Sequence, residues 1–129
     1  MALSLRLAAS AFGTIGLGFG INAILRPDHA LSFFELDYPT SPNEQALVNN
    51  LMYVYGARDI FMGIVTYIAA YYGNNKALGW TLLSVSGVAY ADGLICWING
   101  HGEWNHWGYA PVITFVSFLL LRIQTGNKH

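Results

Sequence analysis

Arg58 and Asp59 stand side by side in the middle of an apolar stretch, 46–72, and Asp92 interrupts the next one, 77–98. A charged side chain at bilayer depth costs about 2.5 kcal/mol or more, so such groups turn toward a protein interior or a water-filled cavity. The fold of this chain is therefore required to gather three charges away from lipid. Those three residues are the first candidates for a functional site.

Lipid is implied by composition as well as by these stretches. Of the 129 residues, 54% are hydrophobic and 10% charged, against roughly 25% charged in soluble domains. Four segments approach the ~20 apolar residues needed to cross a hydrocarbon core: 3–25, 46–72, 77–98 and 107–123. The expected fold is all-α, a single four-helix transmembrane bundle with a short interfacial segment between its first two spans. The small residues Ala8, Ala9, Ser10 and Ala11 do not follow an apolar core of signal-peptide length, so the first span reads as uncleaved.

Several function classes drop out. A net charge of −1 supplies no basic face for nucleic acid. Cys96 has no second cysteine to pair with and reads as a small packing residue. The 101–106 segment holds His101, Glu103 and His106, but not at the helical His-Glu-x-x-His spacing of a zinc site. No metal and no cofactor are implied. Gly16-Leu-Gly-Phe-Gly20 lacks the strand and spacing of a nucleotide loop. Gly16 and Gly20 instead share a helix face suited to close packing, which could also seat a second copy of the chain, and Gly87 with Ala91 repeats the pattern.

Basic residues near the helix ends give an orientation. Arg6, Lys76, Arg122 and Lys128 fall on the side that holds both termini, with Arg26 on the other, so both termini are expected in the cytosol. Asn127-Lys128-His129 is not a retention signal; the endoplasmic reticulum is the expected membrane. Between the first two spans, Leu31-Ser-Phe-Phe-Glu-Leu36 lies among Pro27, Pro39 and Pro42 and reads as a connecting segment dipping into the headgroups, or as a short interfacial helix lying over the bundle mouth. His29 in this segment reads as a solvated residue.

Depth and helical spacing then define a site. Met52, Tyr55, Asp59, Gly63 and Thr66 follow three- and four-residue steps along the second span, as do Thr81, Ser84, Val88, Asp92, Cys96 and Asn99 along the third. The two polar stripes are expected to face each other. Asn22, Asn49, Asn50, Tyr53 and Tyr55 lie in the same non-cytosolic half and are the candidates for holding substrate or water, with His106 at the mouth. Trp97, Trp104, Trp107 and Tyr109 form an aromatic belt or line an entrance, and Pro111 is expected to kink the last span.

Two carboxylates beside one guanidinium need not hold protons equally, so they supply a general base and a general acid. Such a pair suits metal-free opening of an epoxide by water, or proton movement in a double-bond isomerisation or a cyclisation. The bland alternative is structural: Arg58 bridges the acids and fixes helix packing in a scaffold or partner subunit. Against it, buried ion pairs are often no more stabilising than apolar packing of equal volume. A transporter is disfavoured because no inverted repeat is visible.

The run Gly56-Ala-Arg58-Asp59-Ile-Phe-Met-Gly63, followed by Gly79-Trp80, Asp92-Gly93 and His106, resembles a family of small four-helix membrane proteins of poorly defined function. The resemblance covers most of the chain and is strongest over 56–93. Fungal members accompany polyketide and terpenoid pathways, and some are described as epoxide hydrolases. It implies a membrane enzyme acting on a lipophilic secondary metabolite, with Arg58, Asp59, Asp92 and His106 as its site residues. The Asp–Arg–Asp set is also similar in chemistry to limonene epoxide hydrolases, which are soluble and of another fold, so that likeness is analogy alone.

Overall fold

Local capping signals decide where the long helices begin and end. The computed structural model describes residues 1–126, with side chains through 123. Six helices run in order: α1 Ala2–Leu25, α2 Pro27–Leu31, α3 Pro42–Tyr72, α4 Asn75–Ile98, α5 Trp104–Trp107 and α6 Ala110–Gly126. A 3₁₀ turn, Ser32–Phe34, follows α2, and the described residues contain no strand.

The apolar boundaries and the capped boundaries differ. The Ser41 hydroxyl accepts the Glu44 N–H at 3.3 Å and Pro42 opens the helix, so α3 starts four residues before its apolar run. Asn74 caps α4 in the same way, accepting from the Ala77 N–H at 2.8 Å. Pro111 sits in the first turn of α6, where a missing N–H breaks no helical bond, so it starts the helix and does not kink it. Of the residues before it that were expected within the last span, Trp107 ends the separate short helix α5 and Gly108 and Tyr109 form the turn into α6.

Three helices are long and apolar enough to cross a membrane: Ala2–Leu25, Asn75–Ile98 and the combined Trp104–Ile123. The 31-residue α3 is not among them, because Arg58, Asp59 and the polar turns around Asn49 and Asn50 dilute its hydropathy. The chain is thus all-helical with three candidate spans by length and composition.

The helices associate as two pairs, α1 with α3 and α4 with α6, and the pairs meet around an internal space. Glycine permits the first pairing. A Cβ on Gly20 would fall 2.6 Å from the Gly56 carbonyl oxygen, and one on Gly63 would fall 2.7 Å from the Gly13 carbonyl oxygen. Lipid tails are as apolar as leucine, so such backbone-to-backbone packing, not the hydrophobic effect, holds helices together in a bilayer. The face of Gly16 and Gly20, expected to suit a second copy, packs with Gly13 on α3 within the chain, while Gly18 has nothing near it.

On α4 the close-packing glycines are Gly79, against Ser117 and Leu121 of α6, and Gly93, against the Trp107 indole of α5. Gly87 and Ala91, expected to pack closely, are exposed, and a Cβ on Gly87 would meet open space. That motif lies on the outer face of α4.

One end of the bundle is tied by Arg6. Its guanidinium donates to the Ala70 carbonyl, to the Gly73 carbonyl at 2.6 Å and to the Asn75 amide oxygen at 2.9 Å. It thereby satisfies the open carbonyls at the C-terminus of α3 and clamps the α3–α4 turn to the start of α1. Above this turn Leu5, Ala9, Leu78, Leu82, Ile113, Val116 and Leu120 form a closed apolar core. Lys128, used in the orientation argument, lies outside the described residues.

Gly20→Leu tests the pairing of α1 with α3, since the new side chain has nowhere to go. Overpacking of this kind costs about 1–3 kcal/mol or more, read as a lower midpoint of unfolding in detergent micelles. Gly18→Leu is expected to leave the midpoint unchanged.

Candidate functional site

Arg58 joins the two helix pairs. Its Nη2 donates to Asp92 Oδ2 at 2.8 Å and its Nη1 to Asp92 Oδ1 at 3.0 Å, a bidentate fork across α3 and α4. Nε and Nη2 also donate to Asp59 Oδ1 at 3.3 and 3.2 Å. The planar guanidinium, with five donors, can serve both acids at once, which an ammonium cannot. The carboxylate side chains are 10% and 9% exposed and the arginine 36%.

Aromatic groups complete the setting. The Arg58 guanidinium carbon lies 4.6 Å from the centre of the Tyr55 ring, a cation–π arrangement. Phe34 packs edge-on against Tyr55 at 5.3 Å and lies 4.7 Å from the His106 ring. His106 is 2% exposed. Its Nδ1 lies 3.4 Å from the Tyr109 hydroxyl, while Nε2 makes no hydrogen bond of acceptable geometry to any described residue.

Asp59, Asp92, Tyr55, His106 and Tyr109 border a cavity of about 330 Å³. Asp59 and Asp92 lie in its wall, with Tyr55, His106, Tyr109 and Asn105 toward the loop end. The rest is apolar or small, notably Phe12, Gly16, Phe19, Met62, Val85 and Ile113. A concave apolar space with a few convergent polar groups is the usual form of a small-molecule site.

The sequence-derived candidates divide clearly. Arg58, Asp59, Asp92, His106 and Tyr55 come together, the last four as cavity lining. Asn49 instead accepts a hydrogen bond from the Tyr38 hydroxyl at 2.7 Å, Asn50 and Tyr53 are exposed, and none of the three lines the cavity. Asn22 bonds the ring of His29 at 3.1 Å, so His29 is half-buried and partnered. The expected α4 stripe is also rotated. Ser84 is exposed, and it and Thr81 bond back to their own helix, while Val85, Val88, Ala89 and Asp92 face inward.

Helix phase explains the misplaced side chains. At 3.6 residues per turn, Tyr55 lies about 40° from Asp59 around α3, whereas Asn50 lies about 180° and Tyr53 about 120° away. Tyr109 and Asn105 join the site because α5 and the start of α6 bend over the cavity. Tyr109 falls three residues after His106, the one sequence signal that it faces the same way. Of the aromatic belt, Trp97 and Trp104 are exposed as expected. Trp107 packs over Gly93 and donates to the Tyr90 carbonyl at 3.1 Å.

The pattern of a family described as a domain of unknown function, DUF4267, matches residues 13–120. The chain belongs to this family. The match spans every cavity-lining residue except Phe12. No curated protein and no solved structure matches the chain.

Removal of Arg58 is expected to be costly because it strands two acids. Breaking a fully buried pair costs about 3–5 kcal/mol; with the guanidinium 36% exposed, about 2 kcal/mol is expected for Arg58→Ala. Arg58→Lys should recover only part of that, since one ammonium cannot make the fork. Denaturant titration of the variants in micelles measures both, and a double-mutant cycle with Asp92→Asn isolates the pairing.

Proposed function

We propose that this chain is a multi-pass membrane enzyme that opens the epoxide of a lipophilic secondary metabolite, using Asp59 and Asp92 as a general acid–base pair organised by Arg58. The observation that carries the reading is the placement of two carboxylates on one guanidinium in the wall of a mostly apolar cavity. An apolar pocket with an acid–base pair and an oxygenated lipophile are chemically complementary.

The reaction balances within this set. One carboxylate takes a proton from water as the water oxygen bonds to an epoxide carbon. The other gives a proton to the epoxide oxygen as its carbon–oxygen bond breaks, and the product is a vicinal diol. Arg58, touching both acids, holds their separation and biases where the proton rests. Tyr55 takes the water-positioning role first given also to Asn22, Asn49, Asn50 and Tyr53. His106, with Tyr109 beside Nδ1, adds a polar group at the loop end.

In this reading α3 is a fourth span. At 1.5 Å per residue its 31 residues reach about 46 Å, well over the ~30 Å of a hydrocarbon core. Its exposed face carries Leu47, Leu51, Val54, Phe61, Ile64 and Ile68, while Asp59 is buried and Arg58 turns to meet Asp92. The end bearing the N-terminus and the α3–α4 turn faces the cytosol, and the endoplasmic reticulum is the proposed membrane.

Two other readings use the same geometry. An isomerase or cyclase would employ the acid pair with water excluded, so its product would carry no oxygen from heavy-oxygen water. A structural lock in a scaffold is favoured by the completeness of the Arg58 fork, which leaves both acids partnered.

Turnover of lipophilic epoxides by membranes containing the chain decides among them. Loss of a general acid or base typically costs a factor of about 10²–10⁴, so Asp59→Asn and Asp92→Asn are expected to slow diol formation by that order with expression and helicity retained. Equal product profiles from wild type and variants contradict the catalytic reading. Absent turnover, with Asp92→Asn reducing yield in place of rate, supports the lock.

A further inference from the structure

The cavity has two ends and a flank, and they differ. At the loop end the segment after α2 is fastened across the bundle. The Asn105 amide donates to the Phe33 carbonyl at 3.0 Å, the Phe34 ring lies on His106, and Gly102, at φ +93°, brings its backbone against the Phe34 carbonyl. At the opposite end the apolar core around Leu78, Leu82 and Leu120 fills the bundle.

The flank beside α1 is different. Ile15 lines the cavity and is nevertheless 54% exposed. It lies ten residues before Leu25, the last residue of α1, and so about 15 Å below the loop-side helix end. That is the middle of a ~30 Å hydrocarbon core. A shallow groove along the outside of α1 shares Ile15, Phe19 and Phe33 with the cavity, so two concavities meet at this point. Gly18, in the same groove, offers no side chain to fill it.

The cavity is also polar at one end and apolar at the other. Asp59, Asp92 and His106 lie toward the loop end, while Phe12, Val85 and Ile113 lie toward the closed core. Its volume of about 330 Å³ is roughly twice the ~150 Å³ that accommodates a benzene ring.

We propose that the ligand enters this cavity sideways from the lipid, through the gap at Ile15, and that it is a single-headed lipophile of about a dozen non-hydrogen atoms. Its oxygenated end faces the Asp59–Arg58–Asp92 group and its hydrocarbon end points toward Phe12, Val85 and Ile113. The inference deepens the proposed function by naming a substrate class and a route, and it rests on that reading's use of the cavity as the binding site. A lipophile is already concentrated in the bilayer, so a door at mid-membrane depth spares it a passage through water.

The test is photolabelling of the full chain in phosphatidylcholine vesicles. The probe is a ten-carbon terminal epoxide with a diazirine at its hydrocarbon end, and labelled residues are mapped by peptide mass spectrometry. The expected label falls near Phe12, Val85 and Ile113. 1,2-Epoxydecane is expected to compete with it, and 1,2-epoxyoctadecane at equal membrane mole fraction to compete about tenfold less well. Ile15→Trp, a change at an exposed position, should slow labelling severalfold, while Ile21→Trp, at an exposed position of α1 that lines neither concavity, should not.

Label on 27–36, indifference to Ile15→Trp, or equal competition by the longer epoxide would overturn the proposal. The expected labelling by a protein without turnover supports this inference while removing the catalytic reading. Turnover accompanied by label on 27–36 does the reverse.

Discussion

The bundle turns on the Arg58 guanidinium. Each helix pair is held by its own glycines, α1 to α3 and α4 to α6, but the seam between the pairs contains a cavity and so lacks continuous packing. The fork from Arg58 to Asp92 ties α3 to α4 across that seam, and Nε and Nη2 hold Asp59 on the same guanidinium. In a low-dielectric setting an acid without its guanidinium would be costly, and so would the guanidinium without its acids. The three charges therefore stand or fall together, and the space beside them persists because the helices around it are fixed elsewhere.

The same arrangement gives the cavity its chemistry. Close glycine packing at one flank and a filled apolar core at the end that holds the α3–α4 turn leave open the region where the acids, Tyr55 and His106 converge. The loop-side segment lays Phe33 and Phe34 over that region, and its backbone carbonyls are held by Asn105 and Cys96. In the proposed reading, what the cavity binds is set by this enclosure and what it does is set by the acids. The acids and every cavity-lining residue but Phe12 lie within the DUF4267 match.

Much of this was legible in the sequence, for identifiable reasons. The cost of charge in lipid leads to the convergence of Arg58, Asp59 and Asp92, and the small-residue spacing of Gly16 and Gly20 leads to a close-packed helix face. Tyr55 follows from its four-residue step to Asp59. Of the residues that depth and face bring forward, Asn50 and Tyr53 are taken off the site by helix phase, and Asn49 is taken up by the Tyr38 hydroxyl. The phase was available, at about 100° per residue, and outweighs depth for a side chain as short as asparagine.

Other features were not legible. Which partner a glycine face meets depends on the tertiary arrangement: the face of Gly16 meets α3, while that of Gly87 meets nothing. Phe12, Gly16 and Phe19 line the cavity from α1 without any polar mark in the sequence. The start of α6 has no apolar mark, because apolarity runs on through 107–109, whereas the backbone breaks between α5 and α6 and begins again with Pro111 in the first turn.

The most direct measurement of the central arrangement is the carbon–nitrogen dipolar coupling between a labelled Arg58 guanidinium and the labelled carboxylate carbon of Asp92, by solid-state NMR of the chain in lipid bilayers. A strong coupling, consistent with nitrogen–oxygen distances of 2.8 and 3.0 Å, is the predicted result. Absence of coupling, with the Asp92 carboxylate in contact with acyl chains, would contradict it.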